Sequence, residues 1–331
     1  MAGIESGLYA SQLRQELAAR NREWAQRRRH VESLGGDPVV VYLPEEGLHG
    51  NFFDPAYAAI MARPEWARRF NKVHAQGRAL PRPLDDPKRK WRELDSCMSS
   101  DALLMNVFCT PGVVESSAVR TMFGVDTREA PVFGWKARVP LKSGLFDRTE
   151  VDLRWGGLLV EAKLTETDFQ ERREEVVEAY RDFDEVFERD ELPRVEVMTA
   201  RRRHSTEFAE EFTQEYEETG VVSADEAGAI AAQFQSELVA QTEALAPREM
   251  RYQGYQLIRN VLAAHAHGAS FCVIHDERRP DLREAWFRIL RAVRRPQMRT
   301  RLKVLTWQEL AGAVPGYLRA FLGAKYGIEA V

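Results

Sequence analysis

The sequence has little cysteine, little lysine and no long apolar run. Its three cysteines, Cys97, Cys109 and Cys272, stand far apart in 331 residues. That spacing fits neither a disulfide framework nor a zinc knuckle, so all three are expected as reduced core residues. No stretch of 18 apolar residues occurs, and no membrane span is expected. The first 30 residues carry Glu5, Glu16 and Glu23 without an apolar segment, which argues against a secretory signal and leaves the cytoplasm as the default location. A Gly-rich phosphate loop, a G-x-S-x-G elbow and internal repeats are all missing. Positive charge in bulk is missing too, since the net charge is −4. Residues 1–150 hold 22 basic and 19 acidic side chains, and residues 151–331 hold 25 and 32. Any nucleic-acid surface must therefore be local.

What is present is an ordinary globular composition, 44% hydrophobic and 30% charged, long enough for one large or two modest domains. Its most informative stretch runs from Arg148 to Leu164. Two β-prone runs flank Gly156-Gly157, and a two-residue hairpin turn needs residues that tolerate positive φ. Pairing Trp155 with Leu158 then puts Val151, Leu153 and Trp155 opposite Ala162, Val160 and Leu158 on one apolar face. The other face carries Glu150, Asp152 and Arg154 opposite Lys163, Glu161 and Leu159. Asp152 and Glu161 would stand about 5 Å apart, where like charges repel. A divalent cation offsets such repulsion, because Mg²⁺ is held by one or two carboxylates and waters. Lys163 points to the same side as Glu161, within reach of a water or a phosphate.

Asp152 followed by Glu161-Ala162-Lys163 on adjacent strands resembles the PD-(D/E)XK, or restriction-endonuclease-like, nuclease superfamily. The resemblance implies that Asp152, Glu161 and the carbonyl of Ala162 hold Mg²⁺ or Mn²⁺, and that Lys163 positions or activates the attacking water. Val151 stands where the family nominally has proline. The three-residue signature alone is weak, since 8 lysines and 51 acidic residues in 331 positions give about one acidic-x-Lys match by chance, as independent placement requires. Two exist, and the other, Asp86-Pro87-Lys88, lies in a Pro-rich run that cannot be a central strand. A lone lysine beside an apolar run in a chain with 39 arginines also fits, because a buried lysine can shift its pKa whereas arginine stays charged.

Along the chain, residues 7–33 read as an amphipathic helix ending in Arg27-Arg28-Arg29-His30, stopped by Gly35-Gly36-Asp37-Pro38. Val39 to Leu43 reads as a short strand, and Pro55 to His74 as one or two helices. Ten basic residues, Arg63, Arg68, Arg69, Lys72, Arg78, Arg82, Lys88, Arg89, Lys90 and Arg92, with Trp66, Phe70 and Trp91 among them, make the best nucleic-acid surface candidate. The aromatics themselves are expected first as core anchors. Ser99-Ser100-Asp101 starts a helix through Phe108, and a second helix covers Val113 to Phe123. The resemblance implies an acid on the helix before the sheet, Glu115 or alternatively Glu93. Pro131 to Leu141 reads as a strand beside the hairpin. A helix is expected from Phe169 towards Pro193, a strand at Val195 to Thr199, and helices over Glu207 to Glu218 and Ala224 to Leu245. Arg201-Arg202-Arg203-His204 is a further phosphate candidate. Arg251 to Ala266 reads as an amphipathic helix with Gln256 in its polar stripe, a position resembling the glutamine that some branches of the superfamily carry. Phe271 to Ile274 reads as a buried strand, Leu302 to Leu305 as an edge strand and Trp307 to Leu322 as a closing helix.

The expectation is an α/β fold with a restriction-endonuclease-like core, a mixed central sheet flanked by helices. Residues 1–95 form a helical N-terminal extension and 96–331 the core, with a helical insertion about 203–248. The implied activity is a Mg²⁺-dependent endonuclease acting on nucleic acid, double-stranded DNA ahead of RNA, with a homodimer left open. Two rivals stand beside it. One is a noncatalytic nuclease-fold module for nucleic-acid binding or assembly, and the other is a metal-independent small-molecule enzyme built on His275 and Asp276.

Overall fold

The computed structural model describes residues 2–33, 38–74, 80–81, 88, 90–198 and 248–331. The helices expected over 207–218 and 224–245, the run 201–204, the Gly35-Gly36 stop and Arg78, Arg82 and Arg89 lie outside them. The chain divides into two compact units. One comprises residues 1–170, 175–193 and 254–331, and the other comprises 171–174 and 194–253. In the smaller unit, Arg248–Gln253 pairs antiparallel with both Glu171–Arg173 and Arg194–Met198.

The larger unit is built on a mixed five-stranded sheet of β1 (Val132–Lys136), β2 (Glu150–Trp155), β3 (Leu158–Ala162), β4 (Ser270–His275) and β5 (Leu302–Thr306), in spatial order β5-β4-β3-β2-β1. β1, β2 and β3 are antiparallel, whereas β3, β4 and β5 run parallel. Helices flank it: α1 (Ala2–Ala25), α2 (Ser100–Phe108), α3 (Tyr255–Ala266), α4 (Pro280–Ala292), α5 (Trp307–Ala313) and α6 (Gly316–Tyr326). This is the mixed α/β arrangement expected of a restriction-endonuclease-like fold.

The hairpin register is the one the sequence requires, with Leu153 opposite Val160, Arg154 opposite Leu159 and Trp155 opposite Leu158. Gly156 takes φ 56°, and a Cβ there would meet Thr127 Cγ2 at 2.9 Å, so both turn geometry and space demand glycine. Val151, Leu153, Trp155, Leu158, Val160 and Ala162 are all fully buried, worth roughly 2 kcal/mol for each large side chain. Trp155 packs edge-on against Phe108 and Phe123, with centroids 5.9 and 6.1 Å away. β3 is buried on both faces, because parallel pairing with β4 makes it central and helices α2 and α3 both contact it.

Several expected elements differ. The first helix stops at Ala25, and His30–Ser33 becomes a strand, since the wholly buried Val39–Tyr42 needs a partner. The helix expected over 113–123 starts at Ser117, where the Ser116 hydroxyl accepts from the Val119 N–H. β1 ends at Lys136, because Arg138 takes φ 50° and turns the chain. The long helix expected from Phe169 is replaced by short pieces such as Phe183–Val186, with Gln170 at φ 63°. α3 begins at Tyr255, after Gly254 at φ 74° has interrupted a preceding strand, Arg248–Gln253. Pro315 splits the closing helix into α5 and α6. Among the described residues, no helix is long and apolar enough to cross a membrane.

α1 packs on α6 around Lys325, which is 0% exposed. Among the described residues its ammonium meets neutral groups, the side-chain oxygen of Asn21, the hydroxyl and ring of Tyr42 and the ring of Tyr326. Burial pushes this amine down to about 7. The unfolded chain therefore binds the extra proton between about pH 7 and the ordinary lysine value, and stability rises with pH across that window. Urea unfolding of the wild type should gain about 2 kcal/mol from pH 7 to 8.5, at roughly 1.4 kcal/mol per unit. Lys325→Met should flatten this rise, and an unchanged slope would show that the amine stays protonated in the fold.

Candidate active site

The end of the hairpin away from Gly156 brings together Asp152, Glu161 and Lys163. Beyond the Leu153–Val160 pair the regular ladder gives way, and the Ala162 N–H donates to Asp152 Oδ2 at 2.8 Å instead of to a strand carbonyl. The aspartate thus takes the place of a backbone acceptor. Its other oxygen, Oδ1, has no hydrogen-bond donor among the described residues. Glu161 is 2% exposed and Lys163 4%. Lys163 Nζ donates to Glu161 Oε1 at 2.7 Å, and Asn260 Nδ2 on α3 donates to Oε2 at 2.7 Å. The lysine backbone is pinned as well, its N–H donating to the Ile274 carbonyl at 2.8 Å and its carbonyl accepting from Trp307 Nε1 at 2.9 Å.

These contacts set the charges. Burial raises the Asp152 carboxyl well above the usual range, and Glu161 and Asp101 add to the rise, while Lys163 and the Ala162 N–H only partly oppose it. Burial works against the Lys163 ammonium, yet Glu161, Glu166 and Asp152 around it hold its pKa above the ordinary value. Lys163 is accordingly a fixed cation and hydrogen-bond donor. The site holds more acid than the lysine balances.

The structure does not bring Glu115 to this cluster. It lies on an exposed turn ahead of the helix over 117–123, and its Oε2 accepts the Gly112 N–H at 3.0 Å. The helix acid whose charge reaches Asp152 is Asp101, in the first turn of α2. Burial would raise its carboxyl, but Arg69 and Lys72, donating to Oδ2 at 2.8 and 2.9 Å, hold it below its ordinary value. Arg69 also donates to Glu150 at 2.7 Å. Glu93 is raised by burial, and by Asp101 and Glu166, against His74 and Lys72. Gln256 shares with Lys163, Glu93, Glu166 and Met98 the wall of a cavity of about 450 Å³. Its N–H donates to the Phe169 carbonyl at 3.0 Å, and its buried Oε1 has no donor.

Asp101 and Asn260 were missed from sequence for different reasons. Asp101 follows Ser99-Ser100 and reads as part of a helix start, which it also is, since Ser99 Oγ accepts from the Ala102 N–H at 3.1 Å. Asn260 lies one turn beyond Gln256 on the same polar stripe, a signal that was present but does not tell a solvated stripe from a buried one. In the basic stretch, Trp66, Phe70 and Trp91 are buried in the core and Arg69 and Lys72 are committed to Asp101, while Arg63, Arg68, Lys88, Lys90 and Arg92 stay exposed. His275 and Asp276 form no catalytic pair. His275 Nδ1 lies 2.8 Å from the Asp276 backbone oxygen, and the Asp276 carboxylate is taken by Arg278 and Gln308.

Among the described residues, no group of three or more His, Cys, Asp or Glu side chains is spaced to hold a metal ion. The donor set nevertheless fits a hard cation with water ligands, for which one or two carboxylates suffice. Asp152 offers an oxygen without a donor, and a surplus of buried negative charge surrounds it.

The sheet, its flanking helices and the acid-acid-lysine end of the hairpin define a restriction-endonuclease-like protein. Comparison with known families is specific: residues 18–327 match the family described as Restriction Endonuclease associating with ARP, and the chain belongs to it. Neither the curated proteins nor the solved structures compared with the chain gave a match.

Because Asp152 has a raised carboxyl pKa, the folded state binds a proton that the unfolded chain has released between the ordinary carboxylate value and the raised one. Stability contributed by this group is lost as pH rises through that window. With chelator present, Asp152→Asn should therefore gain stability relative to the wild type between pH 4 and pH 8. Denaturant unfolding of both proteins at the two pH values checks this, and a pH-independent difference would show that the acid is not strained by its neighbours.

Proposed function

We propose that this chain is a divalent-metal-dependent endonuclease hydrolysing the phosphodiester bonds of double-stranded DNA. The observation that carries the reading is the meeting of Asp152, Glu161 and a charged Lys163 at one end of the central hairpin, in a chain of a restriction-endonuclease family. Asp152, Glu161 and the Ala162 carbonyl would hold Mg²⁺ or Mn²⁺. The cation, when bound, would neutralise developing phosphate charge and lower the pKa of a water. Lys163, a donor to Glu161 beside these ligands, would position or activate the attacking water and stabilise phosphate oxygens. Gln256, with a buried acceptor oxygen on the same cavity wall as Lys163, would take a hydrogen bond from water or substrate. Asp101, in preference to Glu115 or Glu93, is the helix acid of this site. A cytoplasmic location, a homodimer offering one site per strand and an ARP partner, as the family description suggests, belong to the same proposal.

Both oxygens of Glu161 already accept protein donors, which favours one second reading, a nuclease fold kept as a nucleic-acid-binding or assembly module. Cleavage of supercoiled plasmid, single-stranded DNA and RNA with Mg²⁺ or Mn²⁺ separates the two. The wild type should cut the plasmid fastest, and Asp152→Asn and Lys163→Met should each lose at least about 100-fold, the scale of losing a positioned catalytic group. Equal rates in all three proteins would remove the hydrolytic reading, and DNA binding without turnover would leave the module.

A further inference from the structure

We propose that Arg259 and Asn260 are positioning residues that orient Glu161 and thereby set the divalent-cation affinity of the site. This rests on the reading of Asp152 and Glu161 as the cation ligands.

Asn260 is 0% exposed and Arg259 2%, although they follow one another on a helix whose other buried residues are hydrophobic. Asn260 Nδ2 donates to Glu161 Oε2 at 2.7 Å, and Asn260 Oδ1 accepts from Arg259 Nη2 at 2.6 Å. The same Nη2 donates to the backbone carbonyl of Glu150 at 2.6 Å. Glu150 lies two residues before Asp152 on β2, and Glu161 is on β3. This one pair of side chains therefore ties α3 to both strands that carry the acids.

The direction of the bonds matters as much as their length. A carboxamide can turn over and exchange its oxygen for its nitrogen, whereas a guanidinium can only donate. Arg259 therefore fixes Asn260 with its oxygen inward and its NH₂ towards Glu161. If the amide turned over, an acceptor would face a carboxylate. With Lys163 on Oε1 and Asn260 on Oε2, the plane of the Glu161 carboxylate is set from both sides. Each of its oxygens has two lone pairs, so one on each is left over for a cation.

Arg259 is also kept at a cost that packing alone does not explain. Its Nε and Nη1 are buried without a hydrogen-bond partner among the described residues, and unsatisfied buried donors are rare. Its loss would free Asn260 and let the two strands shift against α3.

Calorimetric titration of Mn²⁺ into the full chain tests this, with wild type, Asp152→Asn as a ligand-deficient reference, Asn260→Leu, Arg259→Met and Arg259→Lys. Unfolding in chelator identifies which variants are folded, and Asn260→Ser stands in if the leucine is not tolerated. Asn260→Leu and Arg259→Met should weaken Mn²⁺ binding roughly 10- to 100-fold, the usual effect of removing an outer-shell partner. Arg259→Lys should recover part of the loss, since it keeps the charge but not the fork. Folded variants that bind Mn²⁺ as tightly as the wild type would overturn the positioning role and leave the site intact. A wild type that binds no Mn²⁺, like Asp152→Asn, would remove the cation site itself.

Discussion

Two carboxylates held next to each other in a place with little water are the constraint on which the rest of this structure turns. Asp152 and Glu161 lie at the end of a hairpin whose other face is apolar and fully buried, just beyond the last regular pair, Leu153 with Val160, where the Ala162 N–H takes Asp152 as its acceptor and the Glu161 charge reaches Asp152. Like charges brought close together destabilise a sheet. The protein answers with a buried lysine on one oxygen of Glu161, a buried asparagine on the other and a backbone N–H on Asp152. These donors orient the acids without neutralising them, since Asp101 and Glu166 bring further negative charge into the same region.

The central position of β3 makes this arrangement possible. Parallel pairing with β4 fixes the Lys163 backbone through the Ile274 carbonyl, and Trp307 at the start of α5 takes the Lys163 carbonyl. The lysine is thus anchored at both ends of its peptide by elements more than 100 residues away in sequence. On the opposite side of the cluster, Arg69 and Lys72 restrain Asp101. Those cations read from sequence as candidates for phosphate contact, yet they are spent on internal charge. Counting basic residues along the chain does not reveal how many remain for a ligand.

The hairpin was legible because its signals are local and agree with one another: a diglycine turn, period-2 alternation and a single lysine beside an apolar run. The buried strand at Phe271–Ile274 and the helix start at Ser99 were legible for the same reason. The errors fall where a local signal was overruled by a distant partner. His30–Ser33 is helical by local composition but pairs with Val39–Tyr42, and Gly254 breaks a stripe whose polar and apolar sides continue through it. Glu115 had the sequence position expected of a helix acid, but the helix begins two residues later and leaves it on an exposed turn.

The sequence by itself determined which residues share a face of the central hairpin, and so that Asp152, Glu161 and Lys163 come to one end of it, because strand periodicity and a two-residue turn set the directions of those side chains. Only the tertiary structure decided that Asn260 bonds Glu161, that the Asp101 charge reaches Asp152, that Gln256 lines the neighbouring cavity, and that acids surround the lysine and raise its pKa. Those facts depend on how α2, α3 and β4 pack against the hairpin and on how much water that packing excludes. Neither quantity is encoded in any short window of residues.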